Sequence, residues 1–403
     1  MLKAAHVFDS RSGKLSDPGV IVIQNDKIVS VGSGASVPAN AKVIDLGDAT
    51  LLPGFIDAHV HVTDQLADNY YKGFYESMLR FPVEQSFYAA RYAKRTLDAG
   101  FTTVRNVGAS DFVDIGLRNA IDAGVTVGPH MITAGHAIGS TGGHCDNSPF
   151  PPETIKPSGP IEGVCNGPEE CRAAVRYQMK WGADVIKICA SGGVLSESDP
   201  VDVPQLTTEE LNAIISEAHA WKRKVAAHSH GDRAARMAVE AGVDSIEHGS
   251  FLTDETLQLM KSKGTYLVPT RLAVYWVNQQ VDKLPPPIAE KARAAAASHE
   301  KMLRSALRIG VPIAFGTDTG VSPHGMNAKE FSLLVDAGMQ PAAALISGTR
   351  ESAKLLGVDA EVGTLESGKF ADIVAVPGNV LDNIAATEKP LFVMKYGEVI
   401  RGL

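Results

Sequence analysis

Short apolar runs alternate with longer amphipathic stretches between residues 50 and 320. Apolar runs of about four to eight residues that end in glycine or polar residues are typical of buried strands, whereas amphipathic stretches of about ten residues or more favour helices. This alternation predicts βα units around a parallel sheet. The eight predicted strands cover residues 51–57, 102–106, 130–134, 184–189, 225–228, 245–247, 266–269 and 312–316.

Helices are predicted in the gaps between these strands. Several helical segments end at a glycine, the usual residue after a last helical turn, and Thr207 with Glu210 forms a capping-box pattern. Eight strands with helices between them predict a closed barrel, in which the C-terminal ends of the strands carry the active groups. The predicted helices cover residues 83–100, 168–183, 207–222, 231–242, 253–264 and 288–310.

The two ends of the chain have a different pattern. The first fifty and the last forty residues alternate short β-rich runs with turn residues, among them Asn25-Asp26 and Tyr396-Gly397. Runs of this kind without helices between them favour antiparallel strands. We therefore expect the two ends to pair into one small β-domain.

The composition excludes several classes of protein. The chain has 403 residues, 21% of them charged, and a formal net charge of −8, so it lacks the positive charge that attracts nucleic acid. It has no run near the roughly 20 apolar residues that cross a bilayer, and its start resembles a strand and a turn rather than a leader. We expect no nucleic-acid or membrane partner, and a cytoplasmic protein by default, or a periplasmic or secreted one if a leader has been removed.

One long segment, residues 135–165, is rich in glycine, proline and serine and lacks periodicity. A long loop after a barrel strand is where a substrate site or lid is expected. The chain has four cysteines and no CxxC pair. Cys165 and Cys171 are close enough in sequence to form a disulfide in an oxidising compartment.

Histidines and one aspartate stand where predicted strands end. His59 and His61 follow the first strand, and residues two apart in an extended chain point to one side about 7 Å apart, so both imidazoles can reach one metal ion. Two surface histidines would explain this pair alone. The same residue types recur, however, at the ends of strands five, six and eight, which favours a metal site. These further residues are His228, His230, His248 and Asp318.

Lys187 lies within the fourth predicted strand, VIKIC, where an unpaired ammonium is costly. The amine could extend to the rim of the barrel or pair with a buried acid such as Glu247. Four imidazoles and one carboxylate, however, are more ligands than one metal ion needs and too few for two. A neutral lysine amine that adds carbon dioxide becomes a carbamate, whose two oxygens can bridge two cations. We therefore predict a carboxylated Lys187 between two divalent ions.

These residues and several longer motifs resemble the amidohydrolase superfamily over essentially the whole chain. LLPGFIDAHVH, IEHG, GTD and the terminal GTLESGKFADIVAV are similar to the imidazolonepropionase-related group, and TGGHCD with VIKICASGGV is similar to its prolidase-like dipeptidases and carboxypeptidases. The resemblance implies an α/β fold with a distorted (β/α)8 TIM barrel over residues 53–360. It also implies a small β-sandwich domain from residues 1–52 and 361–403.

The resemblance assigns the metal ligands residue by residue. It implies two zinc ions bridged by N6-carboxylysine at Lys187. Because His228 and His230 share a strand face, spacing does not distinguish them, and similarity to the family selects His228 as the ligand. The implied ligands are His59, His61 and Asp318 for one ion and His228 and His248 for the other.

Catalytic and substrate-binding roles are assigned in the same way. Asp318, beside the metals, is expected to accept the proton of the attacking water and to pass it to the departing nitrogen. His144 in TGGHCD matches a residue that contacts the substrate carbonyl oxygen, and a histidine that caps local turns is the alternative. The α-carboxylate of the substrate needs a partner, for which Arg105, Arg271 and His230 are candidates by position.

The implied reaction is hydrolysis of the amide bond before a C-terminal amino acid. Four acids in the rim loops favour a basic residue there, so we expect a zinc dipeptidase or carboxypeptidase for Xaa-Arg and Xaa-Lys that acts on small molecules as a homo-oligomer. The acids are Asp146, Glu197, Asp199 and Asp202.

Several other activities remain open. They are a prolidase-like dipeptidase for hydrophobic or proline residues, an N-acyl amino acid hydrolase, a cyclic amide hydrolase of the imidazolonepropionase kind, and a deaminase. A non-catalytic scaffold is not favoured, because no ligand is missing. Of the other histidines, His6, His219 and His299 are expected on the surface or in packing. His130, His136 and His324 are expected nearer the rim.

Overall fold

The computed structural model describes residues 1–32, 34, 41–146, 153, 156–197 and 199–402. Parts of the predicted loop 135–165, residues 147–152 and 154–155, lie outside this range. The strands of the described chain, β1 to β17 in order, are Leu2–Ala4, His6–Asp9, Lys14–Ser16, Gly19–Gln24, Lys27–Val31, Ile44–Asp45, Ala49–Pro53, Phe55–Val60, Phe101–Asn106, His130–Thr133, Val185–Cys189, Lys224–Ser229, Ser245–His248, Tyr266–Val268, Ile373–Pro377, Phe392–Lys395 and Glu398–Arg401. The α-helices, α1 to α12, are Tyr70–Leu79, Pro82–Asp98, Val113–Asp122, Pro168–Trp181, Thr208–Ala220, Asp232–Glu240, Asp254–Lys263, Arg271–Gln279, Pro286–Ile309, Lys329–Asp336, Pro341–Ile346 and Ser352–Leu356.

The parallel strands β8 to β14 form the wall of a barrel. β8, β9 and β10 form one hydrogen-bonded sheet, and β11 to β14 form another. The segment predicted as the eighth strand lies between β14 and β8: Leu267 N donates to Pro312 O at 2.9 Å, and Ala58 N donates to Phe315 O at 2.8 Å. On the other side, Asp184 N donates to the last residue of β10 at 2.8 Å. Hydrogen bonds through this segment and at Asp184 therefore join the two sheets. The segment forms no regular strand, so the barrel is distorted, as expected.

The first apolar run forms two strands instead of the single one predicted over residues 51–57. β7 ends at Pro53 and pairs antiparallel with β15, whereas β8 begins at Phe55 and pairs with β9. Gly54 stands between them, and a Cβ there would lie 2.1 Å from Thr102 Oγ1, so the close approach requires glycine. As a result, β8 extends beyond the predicted strand and includes His59.

The two chain ends pair, as predicted. A six-stranded sheet has the order β17-β16-β15-β7-β2-β3, and a four-stranded sheet has the order β5-β4-β1-β6. Apolar side chains from both ends of the chain, such as Leu2, Leu51 and Phe392, form a shared core cluster. The predicted hairpin turns are confirmed, because Asn25 and Tyr396 have the positive φ angles (56° and 51°) that such turns use.

The six predicted helices correspond to α2, α4, α5, α6, α7 and α9. The capping box at the start of α5 is confirmed: Thr207 Oγ1 accepts from Glu210 N at 3.2 Å, and the Glu210 carboxylate accepts from Thr207 N at 2.8 Å. α1, α3, α8 and the short helices α10, α11 and α12 were not predicted. None of the described helices combines the length and apolar character needed to cross a bilayer.

Candidate active site

Strand ends on the C-terminal side of the barrel bring the predicted site residues around one cavity of about 310 Å³. Lys187 lies within β11, His248 ends β13, and His61 and His230 lie one residue beyond β8 and β12. Asp318 follows the segment that closes the barrel. The predicted residues that line this cavity are His59, His61, His144, Lys187, His228, His230, His248 and Asp318.

One group of ligand atoms is centred on Asp318. Its Oδ1 lies 3.5 Å from His59 Nε2 and 3.4 Å from His61 Nε2. The donor atoms of His59, His248 and Asp318 all lie within 4.8 Å of one another. Convergent imidazole nitrogens and a carboxylate oxygen suit a divalent ion such as Zn²⁺, so the donor set fits the predicted metal.

A second group consists of His228, His230 and His248, whose donor atoms also lie within 4.8 Å of one another. His228 Nε2 lies 3.1 Å from Gly192 O, and its ring stacks on that of His144 with centroids 4.3 Å apart. The rings of His230 and His248 are stacked at 4.9 Å. The structure thus brings all three histidines together and does not select between His228 and His230.

The outer nitrogens of these rings are held by buried partners that the sequence patterns did not indicate. His59 Nδ1 lies 2.7 Å from Glu247 Oε2, and His248 Nδ1 lies 2.7 Å from Thr270 Oγ1. His230 Nδ1 lies 2.8 Å from Ser250 Oγ. Such contacts fix ring orientation and leave Nε2 for a ligand, an arrangement common around metal-binding histidines.

Arg105 completes the support of His59 and does not line the cavity. It is 1% exposed, and its Nη2 donates to Glu247 Oε1 at 2.8 Å. Although burial raises the pKa of the Glu247 carboxyl, Arg105 and His59 together hold it at about 2. Glu247 is therefore an anion shared between a guanidinium and an imidazole. The residue predicted for substrate binding has a supporting role instead, because its guanidinium bonds to Ala58 O, Ser245 Oγ and Glu247.

Asp57 connects the two chain segments that carry His59 and Asp318. Its carboxylate accepts from His59 N at 3.1 Å, from Thr317 N at 3.1 Å and from Asn327 Nδ2 at 2.8 Å. Burial raises the pKa of Asp57 to about 6. Asp318 itself has a positive φ of 58°, an unfavourable backbone for a non-glycine residue that this network helps to hold.

Lys187 is 4% exposed. Its amine has no hydrogen-bond or ion-pair partner among the residues that the structure describes. The alternative of a pair with Glu247 is not realised, because Glu247 bonds to Arg105 and His59. Burial lowers the pKa of Lys187 to about 8, so its neutral form is accessible.

Five imidazoles of the site are neutral, those of His61, His144, His228, His230 and His248. Burial lowers the pKa of His61 and of His144 to about 4 and that of His230 to about 3. The pKa values of His228 and His248 are also well below the usual value for the same reason. A neutral imidazole has a free lone pair, which is the form that binds a metal ion.

Two disulfides lie in or beside the loop that carries His144. The Cys165–Cys171 disulfide, which the sequence left open, is present, with Cα atoms 5.0 Å apart. A second disulfide joins Cys145 to Cys189 across 44 residues of sequence. It links the residue after His144 to the strand that carries Lys187. Sequence spacing gave no indication of this pair.

The rest of the cavity wall is apolar. α8 and α9 supply five of its side chains, and loops after the barrel strands supply the others. The apolar wall residues are Val107, Ala137, Val194, Leu195, Ala273, Val274, Val277, Ala292, Ala295 and Val321.

The acids expected to select a basic substrate do not line this cavity. Asp199 accepts from Gly193 N at 3.0 Å and from Gln205 Nε2 at 2.8 Å, and Glu197 and Asp202 are exposed. Asp146 accepts from a backbone amide of its own loop. Among the described lining residues, Asp318 is the one carboxylate.

Arg271 also lies outside the cavity lining. Its Nη2 donates to Glu300 at 2.8 Å, and its backbone N donates to the buried Glu330 at 3.0 Å. Of the three candidates for the substrate carboxylate, the structure brings His230 alone to the cavity.

Most other histidines have the structural roles expected for them. His299 is fully buried with Nε2 2.7 Å from Pro269 O, and His219 lies beside Asp244. His324 stacks on Tyr92. The expected place of His130 near the rim is wrong, because this residue begins β10 and so lies at the opposite end of the barrel.

Comparison with known proteins identifies relatives over nearly the whole chain. The model of the Amidohydrolase family matches residues 50–401. The chain is 33% identical to an ochratoxinase of Aspergillus niger over 94% of this chain and 82% of that protein. It is 26% identical to an imidazolonepropionase of Cutibacterium acnes over 88% of this chain and 83% of that protein. A solved Xaa-Pro dipeptidase with methionine bound in its active site matches with a TM-score of 0.95 at 39% identity, covering 100% of this chain and 99% of that one.

Proposed function

Because this chain belongs to the amidohydrolase family and is a hydrolase of amide or peptide C–N bonds, we propose that it releases an apolar C-terminal residue from dipeptides or N-acyl amino acids. One observation supports this proposal most strongly. The cluster of histidines and aspartate lies in the same cavity as a wall of valine, leucine and alanine side chains. A bound apolar side chain would gain free energy from that wall, whereas a lysine or arginine side chain would lose hydration there.

The proposed cofactor is a pair of divalent ions, zinc by family resemblance. The six residues proposed to hold them would supply four imidazoles, one carboxylate and, at Lys187, a carbamate that would serve both ions. When bound, such ions lower the pKa of a water molecule and polarise a carbonyl group. The proposed ligands are His59, His61, Lys187, His228, His248 and Asp318.

Asp318 is the proposed proton carrier. Burial raises the pKa of this carboxyl, but His59, His61 and Lys187 more than offset that effect, so the pKa is below its usual value and the group is a carboxylate. A carboxylate at this position can accept the proton of the attacking water and then donate it to the departing nitrogen.

His144 is the proposed donor to the substrate oxygen. It lines the cavity, and its Nδ1 lies 3.1 Å from Ser196 Oγ. If the serine hydroxyl donates to Nδ1, the proton of the neutral imidazole is on Nε2. That N–H could then donate a hydrogen bond to the oxyanion that forms during attack.

His230 is the proposed partner of the substrate carboxylate. Its outer nitrogen, Nδ1, is held by Ser250. None of the described residues that line the cavity is an arginine that could compete for the carboxylate. The role is tested by His230→Asn: KM for a free-carboxylate substrate should rise at least ~10-fold, whereas KM for the matching C-terminal amide should change little.

The proposed specificity is tested with zinc-loaded enzyme and a set of N-acetyl amino acids and dipeptides that differ in the C-terminal residue alone. Phenylalanine, leucine, methionine and proline substrates should be cleaved with kcat/KM at least ~10-fold above arginine and lysine substrates. Preference for arginine and lysine would instead support the specificity first expected from the rim acids, and it would overturn the proposal.

A charge placed in the wall sharpens this test. Val274 on α8 is partly exposed and lines the cavity, so Val274→Asp can add a carboxylate without burying it fully. The variant should lose activity on phenylalanine substrates and gain activity on arginine substrates. Val274→Asn introduces a side chain with the shape of aspartate but without its charge. This variant should lose activity on phenylalanine substrates and gain none on arginine substrates.

The two disulfides support an oxidising compartment, and so the periplasmic or secreted alternative over the cytoplasmic one. Thiol titration of unfolded protein isolated from its native cells would test this. It should find no free thiols, whereas four free thiols per chain would support the cytoplasm.

A further inference from the structure

An exposed apolar surface covers α1 and the first turns of α2. Besides Tyr71, six large apolar residues in this segment have exposed fractions between 48% and 76%. In the described part of the chain, exposed large apolar residues outside residues 71–87 stand in ones and twos. Scattered apolar residues are normal on a protein surface, but a contiguous group marks an interaction site. The residues that define this surface, the α1–α2 patch, are Tyr75, Met78, Leu79, Phe81, Val83 and Phe87.

Sequence spacing places these side chains on one side of each helix. Tyr75, Met78 and Leu79 are three or four residues apart on α1, and Val83 and Phe87 are four apart on α2. α1 has no buried residue, so this apolar stripe does not pack against the barrel. The helix is nevertheless attached to the molecule, because Tyr70 Oη donates to Leu195 O at 3.0 Å. Tyr75, Met78 and Leu79 therefore remain exposed on a helix that is attached to the molecule.

We propose that a second copy of this chain covers the α1–α2 patch in a two-fold symmetric dimer. With about 200 Å² for a large side chain, the six exposed fractions leave on the order of 700 Å² of apolar surface. A stable interface buries about 800 Å² on each partner, so the patch is large enough for one side of a dimer.

The charges around the patch select this partner over others. Lys72 and Arg80 are balanced by Glu76 and Glu84 within the same segment, and the Lys72 amine lies 3.7 Å from Glu76 Oε1. An anionic membrane or a nucleic acid would be recognised by a surplus of basic residues. A two-fold interface needs a self-complementary surface, which an apolar centre with both signs of charge provides.

The interface also lies close to the cavity. Leu195 lines the cavity wall and accepts the hydrogen bond from Tyr70 at the start of α1. Ordering α1 against a partner would therefore order one part of the wall. The dimer itself is independent of the reaction proposed above, and it is measured without a substrate.

Analytical ultracentrifugation of the whole chain from nanomolar to high micromolar concentration tests the proposal. The wild type should be a dimer, and Phe87→Glu and Leu79→Glu should each weaken self-association by on the order of 100-fold. Val125→Glu introduces the same charge outside the patch, at a position that is 80% exposed, and this control variant should remain dimeric. Circular dichroism checks that each variant is folded. If only one of the two patch variants folds, that variant alone is sufficient for the test.

Three results would overturn the proposal. One is a wild type that stays monomeric at all concentrations. Another is that both patch variants fold and still dimerise as strongly as Val125→Glu, which would place the interface elsewhere. The third is a monomer that sediments with phosphatidylserine vesicles and loses this binding in Phe87→Glu, which would assign the patch to a membrane surface.

Discussion

At the scale of single residues, the sequence identified the groups that line the cavity but not the groups that hold them. Histidines at strand ends and a lysine inside a strand are visible because their positions conflict with ordinary burial. Glu247 and Asp57 are equally important for the geometry, yet a buried acid on a strand has no distinguishing pattern. Their partners, Arg105 and Thr317, come from distant parts of the chain.

Glu247→Gln should weaken both the fold and the metal site. The amide can no longer balance the buried Arg105 guanidinium, which costs about 3–5 kcal/mol of the free energy of unfolding. The substitution also removes the negative charge beside His59, which should reduce metal affinity about 10- to 100-fold. Denaturation and zinc competition measure the two effects. Glu240→Gln, on the exposed side of α6, should change neither, and wild-type values for Glu247→Gln would refute the supporting role.

Lys187 should take up carbon dioxide in a pH-dependent manner. Burial lowers its pKa from 10.5 to about 8, so the neutral amine that reacts becomes abundant as the pH rises through about 8, well below the range of an ordinary lysine. Metal-free protein in ¹³C-bicarbonate should show a carbamate signal in NMR that grows over this range. The signal should be missing in Lys187→Ala, and its persistence there would exclude this lysine as the site.

At the scale of elements, regular patterns were predicted well and irregular ones poorly. Strands, long helices and glycine-ended helices follow from periodicity and capping, both of which are local. The division of the first apolar run at Gly54 is a tertiary effect that leaves no periodic signal. α1, which has no buried residue, was not predicted either.

The Cys145–Cys189 disulfide is an element-scale support for His144. Replacing both cysteines by serine should free the loop beside the cavity and lower kcat/KM by on the order of 10- to 100-fold, since small displacements of a catalytic group are costly. Metal content should be unchanged. The double replacement of Cys165 and Cys171 is the matched control, because it removes a disulfide that spans six residues and does not adjoin a cavity residue. Equal activity of the two variants would refute the role in positioning.

At the scale of the whole molecule, the distorted barrel, the β-domain formed by both chain ends and the family follow from the sequence and are confirmed. The lining of the cavity was harder to predict, because it depends on which side chains of α8 and α9 reach the cavity. Acids that are close to the rim in sequence turn to backbone amides or to solvent instead. Pattern reasoning counts charges in loops, but only the packed structure shows where they point.

We propose above that this hydrolase depends on two metal ions held together by a carboxylated Lys187. The most direct measurement is a titration of metal-free enzyme with zinc, followed by hydrolysis of an N-acyl phenylalanine in the presence of bicarbonate. Activity should rise until two equivalents per chain are bound and then remain constant, and Lys187→Ala should stay inactive throughout. Full activity at one equivalent, or near-normal turnover by Lys187→Ala, would contradict the claim.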